Sequence, residues 1–254
     1  MNDLHDAFAT KYAGQPLERL DVGQDQRLPA PAHTLPAGAL QALFDLRGRG
    51  LVSAAKRNTP AAAALREAGL LGRFGGTTDS GSAIATIVER ATRTLAAERR
   101  DHSGTTTWSC WASGRDAVVR TVHDDTETID LVPFTSAVAR LVAWAEIGPF
   151  WPVADPDDDE SRVVPDDVIE TLVAGGHVEP PADAGPVLAT RWREPWSTVS
   201  IAVPGSDDGL PLVFMGSASH LRLSVDGGSR LQLVPSSWVF EALPQLLERS
   251  WSAT

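Results

Sequence analysis

Cys110 is the single cysteine among 254 residues, and only His123 or His102 could join it in a thiol–imidazole pair. Such a nucleophile needs an exposed thiol whose pKa its surroundings lower. Alternation along Thr105–Ser113 puts Cys110 on one strand face with Trp108 and Ala112, so it reads as a buried, inert core thiol. Asp79-Ser80-Gly81-Ser82 matches an aspartic-protease box. That chemistry requires two carboxylates sharing a proton, each on a turn after an apolar strand. Here Thr77-Thr78 precedes the tetrad and a helix follows, so capping by Ser80 or Ser82 explains it. The histidines, at 5, 33, 102, 123, 177 and 220, never take metal-pair spacing. The run from Asp155 to Asp166 is acidic enough for a calcium loop, but Glu160 stands where that loop turns on glycine. Gly48-Arg49-Gly50 and Gly72–Gly76 lack the Gly-Lys-Ser/Thr of a phosphate loop. The expectation is a protein with no catalytic residue, no metal and no cofactor.

The tryptophans carry more information. All eight lie at or beyond position 108. Trp111 falls on the Thr107/Ser109 side of its strand, opposite Trp108 and Cys110. Trp196 alternates with Thr198 and Ser200, while Val199, Ile201 and Val203 take the other side. Aromatic rings on a polar sheet face are typical anchors for a protein partner. Trp111 and Trp196 are therefore candidate partner-binding residues, together with neighbouring Trp192 and Arg191. The alternative, that the domain's own helices cover this face, stays open.

Lys+Arg 22 against Asp+Glu 33 leaves a net charge of −11, which disfavours nucleic acid or an anionic membrane as partner. No apolar run approaches the ~20 residues of a membrane span, and Met1–Asp6 has no signal-peptide character. A soluble, cytoplasmic protein is expected. Residues 1–35, broken by Pro29 and Pro31, read as a mobile leader. Helices are expected from Ala37 to about Gly48, from Pro60 to Leu71 behind a Thr59 cap, and over 83–99. Strands follow at 105–113, 118–123 and 128–132, then a helix to about Ile147, which Thr135 or Ser136 would cap. Residues 148–165, with their Asp157–Glu160 run, read as an acidic connector. Beyond it come a helix at 165–174, a loop at 177–186 and strands at 187–193, 198–203, 210–215, 219–225 and 230–234. A last helix spans about 237–250, and Pro244 should interrupt it.

The two strand regions repeat without gaps. Val119–Asp124 lies over Leu221–Asp226, Ile129-Asp130-Leu131-Val132-Pro133 over Leu231-Gln232-Leu233-Val234-Pro235, and Leu141 over Leu243. This predicts an α+β fold: a pseudo-twofold duplicated unit, with antiparallel sheet and flanking helices. One domain over 36–254 would have two halves, 36–150 and 161–254.

The order of several segments resembles the EspG family, chaperones of type VII secretion systems, over about residues 36–254. They are Arg47-Gly48-Arg49-Gly50-Leu51-Val52 before the Pro60–Leu71 helix, the paired strands ending in Leu131-Val132-Pro133, the acidic connector, Ser161–Ile169, and the terminal Leu231–Pro235 strand with its helix. The resemblance implies a cytosolic chaperone. It would bind the tip of a secreted PE–PPE-like heterodimer through its sheet and neighbouring helices, keeping it export-competent. From the residues alone, a thiol-dependent enzyme using Cys110 and His123, or a generic protein-interaction module, are the other readings.

Overall fold

The computed structural model describes residues 32–47, 58–150 and 162–249. Long alternating segments pair into a ten-stranded antiparallel sheet. Its strands are β1 (His33–Pro36), β2 (Arg93–Asp101), β3 (Gly104–Ser113), β4 (Asp116–His123), β5 (Thr126–Pro133), β6 (Arg162–Val164), β7 (Trp196–Ala202), β8 (Gly209–Met215), β9 (Ala218–Val225) and β10 (Gly228–Leu233). The order across it is β1-β5-β4-β3-β2-β7-β8-β9-β10-β6, which reads alike from both edges. Each half folds four strands joined by three successive hairpins outward from the centre and closes with its own first strand at the edge.

The registers follow the same symmetry. Adding 102 to the β4 numbers gives β9, and the pairs Trp111–Val118 and Val118–Leu131 become Val213–His220 and His220–Leu233. The β2–β3 hairpin is two residues longer than its counterpart, so β2 maps onto β7 with a shift of 104. Ala97 and Ile201, 104 apart, face each other across the β2–β7 seam, so the matching registers of the two halves are centred on that pair.

Helices pack on both sheet faces. Helices α1 (Ala39–Leu46), α2 (Pro60–Glu67) and α3 (Asp79–Glu89) lie on one face of the first half, over Val118 and Ile129. On the same face of the second half, α5 (Asp166–Val173) and α6 (Pro186–Trp192) cover Val213, Met215 and Leu231. The opposite face carries α4 (Ala137–Trp144) and α7 (Ser236–Arg249). Their Leu141 and Leu243, the repeat-related pair, pack over Leu95, Ala97, Trp108, Val199 and Ile201. Thr59 caps α2 as expected, accepting the Ala62 amide at 3.2 Å.

Several expectations are corrected. The helix of 83–99 stops at Glu89, and Arg93–Asp101 is the central strand β2. Ala, Glu and Arg favour helix locally, but bonds to β3 on one side and β7 on the other outweigh that preference. Residues 186–192 are helical, not a strand, because Pro186 opens them with φ already set. The leader of 1–35 ends sooner: His33 and Leu35 pair with Ile129 and Glu127, and Leu35 is buried. Its first 31 residues lie outside the described residues. The connector is likewise shorter, since Arg162–Val164 pairs with β10. Its acidic run and the calcium-loop stretch before Arg162 fall outside the description. Finally, Pro244 sits within α7 without ending it, its ring exposed to solvent.

Asp79-Ser80-Gly81-Ser82 forms the first turn of α3, and Thr78, not Ser80 or Ser82, caps it by accepting the Gly81 amide at 3.2 Å. Gly81 is required there: a Cβ would lie 2.1 Å from the Leu70 carbonyl oxygen.

Candidate partner-binding surface

Among the described residues, the two helical layers on the α1/α5 face leave the middle of the sheet uncovered. Four strands, β3, β2, β7 and β8, present a strip there in two cross-strand rows. One row is Ser109, Ala96, Ala202 and Gly209; the other is Thr107, Glu98, Ser200 and Pro211. Thr105, Arg100 and Thr198 extend the second row. None of these eleven residues is buried, whereas their strand neighbours Leu95, Ala97, Trp108, Cys110, Val199, Ile201 and Leu212 on the far face all are. At 4.7–4.9 Å between strands the strip is about 15 Å across.

Apart from Arg100, its polar side chains are unspent. Arg100 reaches Glu170 of α5 at 2.7 Å. Among the described residues, the side chains of Glu98, Thr105, Thr107, Ser109, Thr198 and Ser200 make no hydrogen bond or ion pair. Exposed hydroxyls and a carboxylate tied to water are groups a partner can take over at little cost.

Of the four candidates from sequence, Trp111 and Trp196 lie on this sheet face beside the strip, and Arg191 and Trp192 belong to helix α6 itself. Trp196 is 3% exposed; its ring N–H donates to the Trp192 carbonyl at 3.0 Å. Trp192, 4% exposed, meets it edge-on at 5.1 Å between centroids and donates to the Val178 carbonyl. Trp111 is half-buried against the α1–α3 layer. Arg191 is half-buried, its guanidinium 5.3 Å from the centre of the Phe150 ring. Of the two arrangements the sequence left open, Trp196 takes the covered one, beneath the domain's own helices, and Trp111 is half-buried at the edge of the α1–α3 layer.

Cys110 and His123 share a face but not a site. Cys110 pairs with Val119 and His123 with Thr106, four residues further along β3, or about 13 Å. Burial pushes the thiol up to about 12. His123 is half-exposed, and its Nδ1 lies 3.1 Å from the Thr106 hydroxyl. Among the described residues no three His, Cys, Asp or Glu side chains converge to hold a metal.

Two arginine–carboxylate clamps fix the helical layers that wall the strip. In the first half Arg120 binds the fully buried Glu127 carboxylate, with contacts of 2.6 and 2.8 Å. That carboxylate also accepts the Gly38 and Leu40 amides at the start of α1. In the second half Arg222, the counterpart of Arg120, reaches Asp166 in the first turn of α5 at 3.0 Å. Ser229, the counterpart of Glu127, donates to the same carboxylate at 2.6 Å. The Ser229 hydroxyl and the Arg222 guanidinium hold Asp166 below the usual carboxylate value. Sequence reasoning matched Arg120 to Arg222 but missed the clamps. Their signal was an Arg seven residues before a Glu or Ser across one hairpin.

His220 replaces the first half's Val118 beneath α5 and α6. Burial first, and then the Arg191 charge, push its pKa down to about 4, and its Nδ1 has no partner. The unfolded chain therefore binds a proton between pH 6.5 and 4 that the folded chain refuses. Stability should be intact above pH 6.5 and fall by about 3 kcal/mol on descending to pH 4. Denaturant unfolding at several pH values should show this loss in the wild type. A His220→Val variant should lack it; equal pH dependence in both would refute the assignment.

No protein-family model matches the sequence, and no curated protein does. Among solved structures the chain is similar to a secretion chaperone. It is the Mycobacterium tuberculosis type VII secretion system chaperone EspG5, determined in complex with a PE25–PPE41 dimer. Identity is 12%, the TM-score is 0.48, and the likeness covers 86% of this chain and 96% of that one. Among the described residues no helix is long and apolar enough to cross a membrane.

Proposed function

We propose that this chain is a non-catalytic cytosolic chaperone of a type VII secretion system. It holds the tip of a PE–PPE-like helical heterodimer on the uncovered strip of the sheet. One observation carries the reading: among the described residues, a four-strand strip with no buried residue lies between two helical walls, and its hydroxyls and Glu98 carboxylate make no hydrogen bond or ion pair there. Two helix ends packed at the usual 8–10 Å between axes match a strip about 15 Å across. The partner class comes from the order of segments that resembles the EspG family. The thiol-enzyme reading is disfavoured by the burial of Cys110 and its separation from His123.

The test is co-expression of this chain with a PE–PPE-like heterodimer from the same genome. Expected is a complex that stays together through size exclusion, with more of the heterodimer in the soluble fraction. A heterodimer that is equally insoluble with and without this chain, and never co-elutes, would overturn the proposal.

A further inference from the structure

Each element of the second half answers to one of the first in the same order: β6, α5, α6, β7–β10 and α7 correspond to β1, α1, α3, β2–β5 and α4. Helix α2 has no counterpart. Residues 47–78 separate α1 from α3, whereas only 174–185 separate α5 from α6. The second half closes its part of the sheet and its helical layer without such an addition, so completing the fold does not account for it.

The addition is firmly seated, with Ala62, Leu65, Leu70 and Leu71 buried in the α1–α3 core. Its surface is unlike the rest of the chain in two respects. Residues 47–78 hold six of the 22 Lys+Arg but only Glu67 of the 33 Asp+Glu, a basic island on a strongly acidic protein. Phe74 is 84% exposed, against 47% for Val163, the next large apolar side chain among the described residues. A tight hairpin holds that ring out. Leu71 bridges Thr77, the Gly72 N–H donates to the Gly76 carbonyl at 2.7 Å, and the Gly75 N–H donates to the Gly72 carbonyl at 3.0 Å. Beside the hairpin is a cleft of about 230 Å³ with Leu46, Ala62 and Leu71 as apolar wall and Arg66 and Arg73 as basic wall. Among the described residues the Arg73 side chain makes no hydrogen bond or ion pair.

We infer that α2 and the Leu71–Thr77 hairpin form a docking surface for an acidic segment of a partner protein, with an apolar side chain of that segment against Phe74 and the cleft and its carboxylates on Arg73. Charge complementarity names the partner. Screening confines each charge to about 8 Å at physiological salt, so a short acidic segment meets the island alone. An extended anionic surface, a membrane or a nucleic-acid duplex, also meets the acidic remainder and is repelled. An aromatic ring beside an arginine is the pairing in which protein–protein contacts are enriched. Helix α2 packs on α1 and β1, and β1 is the edge strand three places from β3, where the uncovered strip begins. The surface is therefore separate from that strip, and the inference does not depend on the chaperone reading.

The experiment uses the full chain and a fluorescein-labelled peptide of three Glu-Glu-Leu-Glu repeats, read by anisotropy, with the Gln-for-Glu peptide and phosphatidylglycerol vesicles as competing probes. The acidic peptide should bind, and the Gln peptide should bind at least tenfold more weakly. Arg73→Glu and Phe74→Ser should each weaken the acidic peptide about tenfold or more. Their melting temperatures should stay near wild type, because both side chains are exposed. Arg230→Glu, an equal change of charge on exposed β10, should leave peptide binding within about twofold of wild type. No binding of the acidic peptide, equal binding of the two peptides, or a loss in Arg230→Glu as large as in Arg73→Glu would overturn the inference. Binding to the vesicles in place of the peptide, abolished by Phe74→Ser, would overturn it in favour of a membrane surface.

Discussion

Trp196→Ala should lower the stability of this protein by about 3–5 kcal/mol, the range for truncating a core aromatic ring. The ring is 3% exposed, stacks edge-on against Trp192 and anchors its N–H on the Trp192 carbonyl. Truncation removes the ring from the cluster of Ile169, Leu172, Val213 and Met215 and leaves a cavity beneath α5 and α6. For a chain of this size that corresponds to a melting temperature lower by roughly 10 °C. Urea unfolding of wild type and variant measures it directly. A loss below about 1 kcal/mol would mean that the ring contributes as an exposed residue does, contrary to its position here.

Glu127→Ala should cost a comparable amount, about 3–5 kcal/mol, as expected when one partner of a buried ion pair is removed. The Glu127 side chain has no exposure, and it neutralises Arg120 while accepting two amides at the start of α1. Its loss strands the guanidinium and the amides together. The symmetry of the fold supplies the control. Asp166 does the same work for α5, but its side chain is 56% exposed, so Asp166→Ala should destabilise far less because water can replace the lost partner. Hydrogen exchange would separate the two cases: Glu127→Ala should loosen α1 and β1 first. Equal effects of the two substitutions would contradict the burial difference between the clamps.

Much of this architecture is legible in the sequence because the hairpin strands alternate cleanly. Thr105–Ser113 and the repeated Leu-Val-Pro segments announce their faces and their register, and the shift of 102 holds residue for residue in β4 and β9. β2 is illegible for a physical reason. Thr-Leu-Ala-Ala-Glu-Arg-Arg carries helix-favouring residues, and only its bonds to β3 and β7 make it a strand. The short edge strands β1 and β6 likewise have no pattern of their own and exist only as partners of β5 and β10. The tryptophans show where alternation stops being informative. It assigns Trp111 and Trp196 to the correct face but is silent on which part of that face helices cover. The uncovered part is the stretch of small and hydroxylic residues, which has no sequence motif and becomes visible once β2 and β7 are known to be adjacent.

The most direct measurement is a calorimetric titration of a purified PE–PPE-like heterodimer into wild-type chain and into Ala202→Trp. Ala202 is half-buried in the middle of the strip, in the row with Ala96 and Gly209. An indole there would project from the sheet into the space a partner must occupy, without entering the far-face core. The account predicts binding to the wild type, at least a hundredfold loss for Ala202→Trp, and unfolding midpoints that agree closely. Equal affinity for the two proteins would contradict it, since the heterodimer would then bind somewhere other than the uncovered strip.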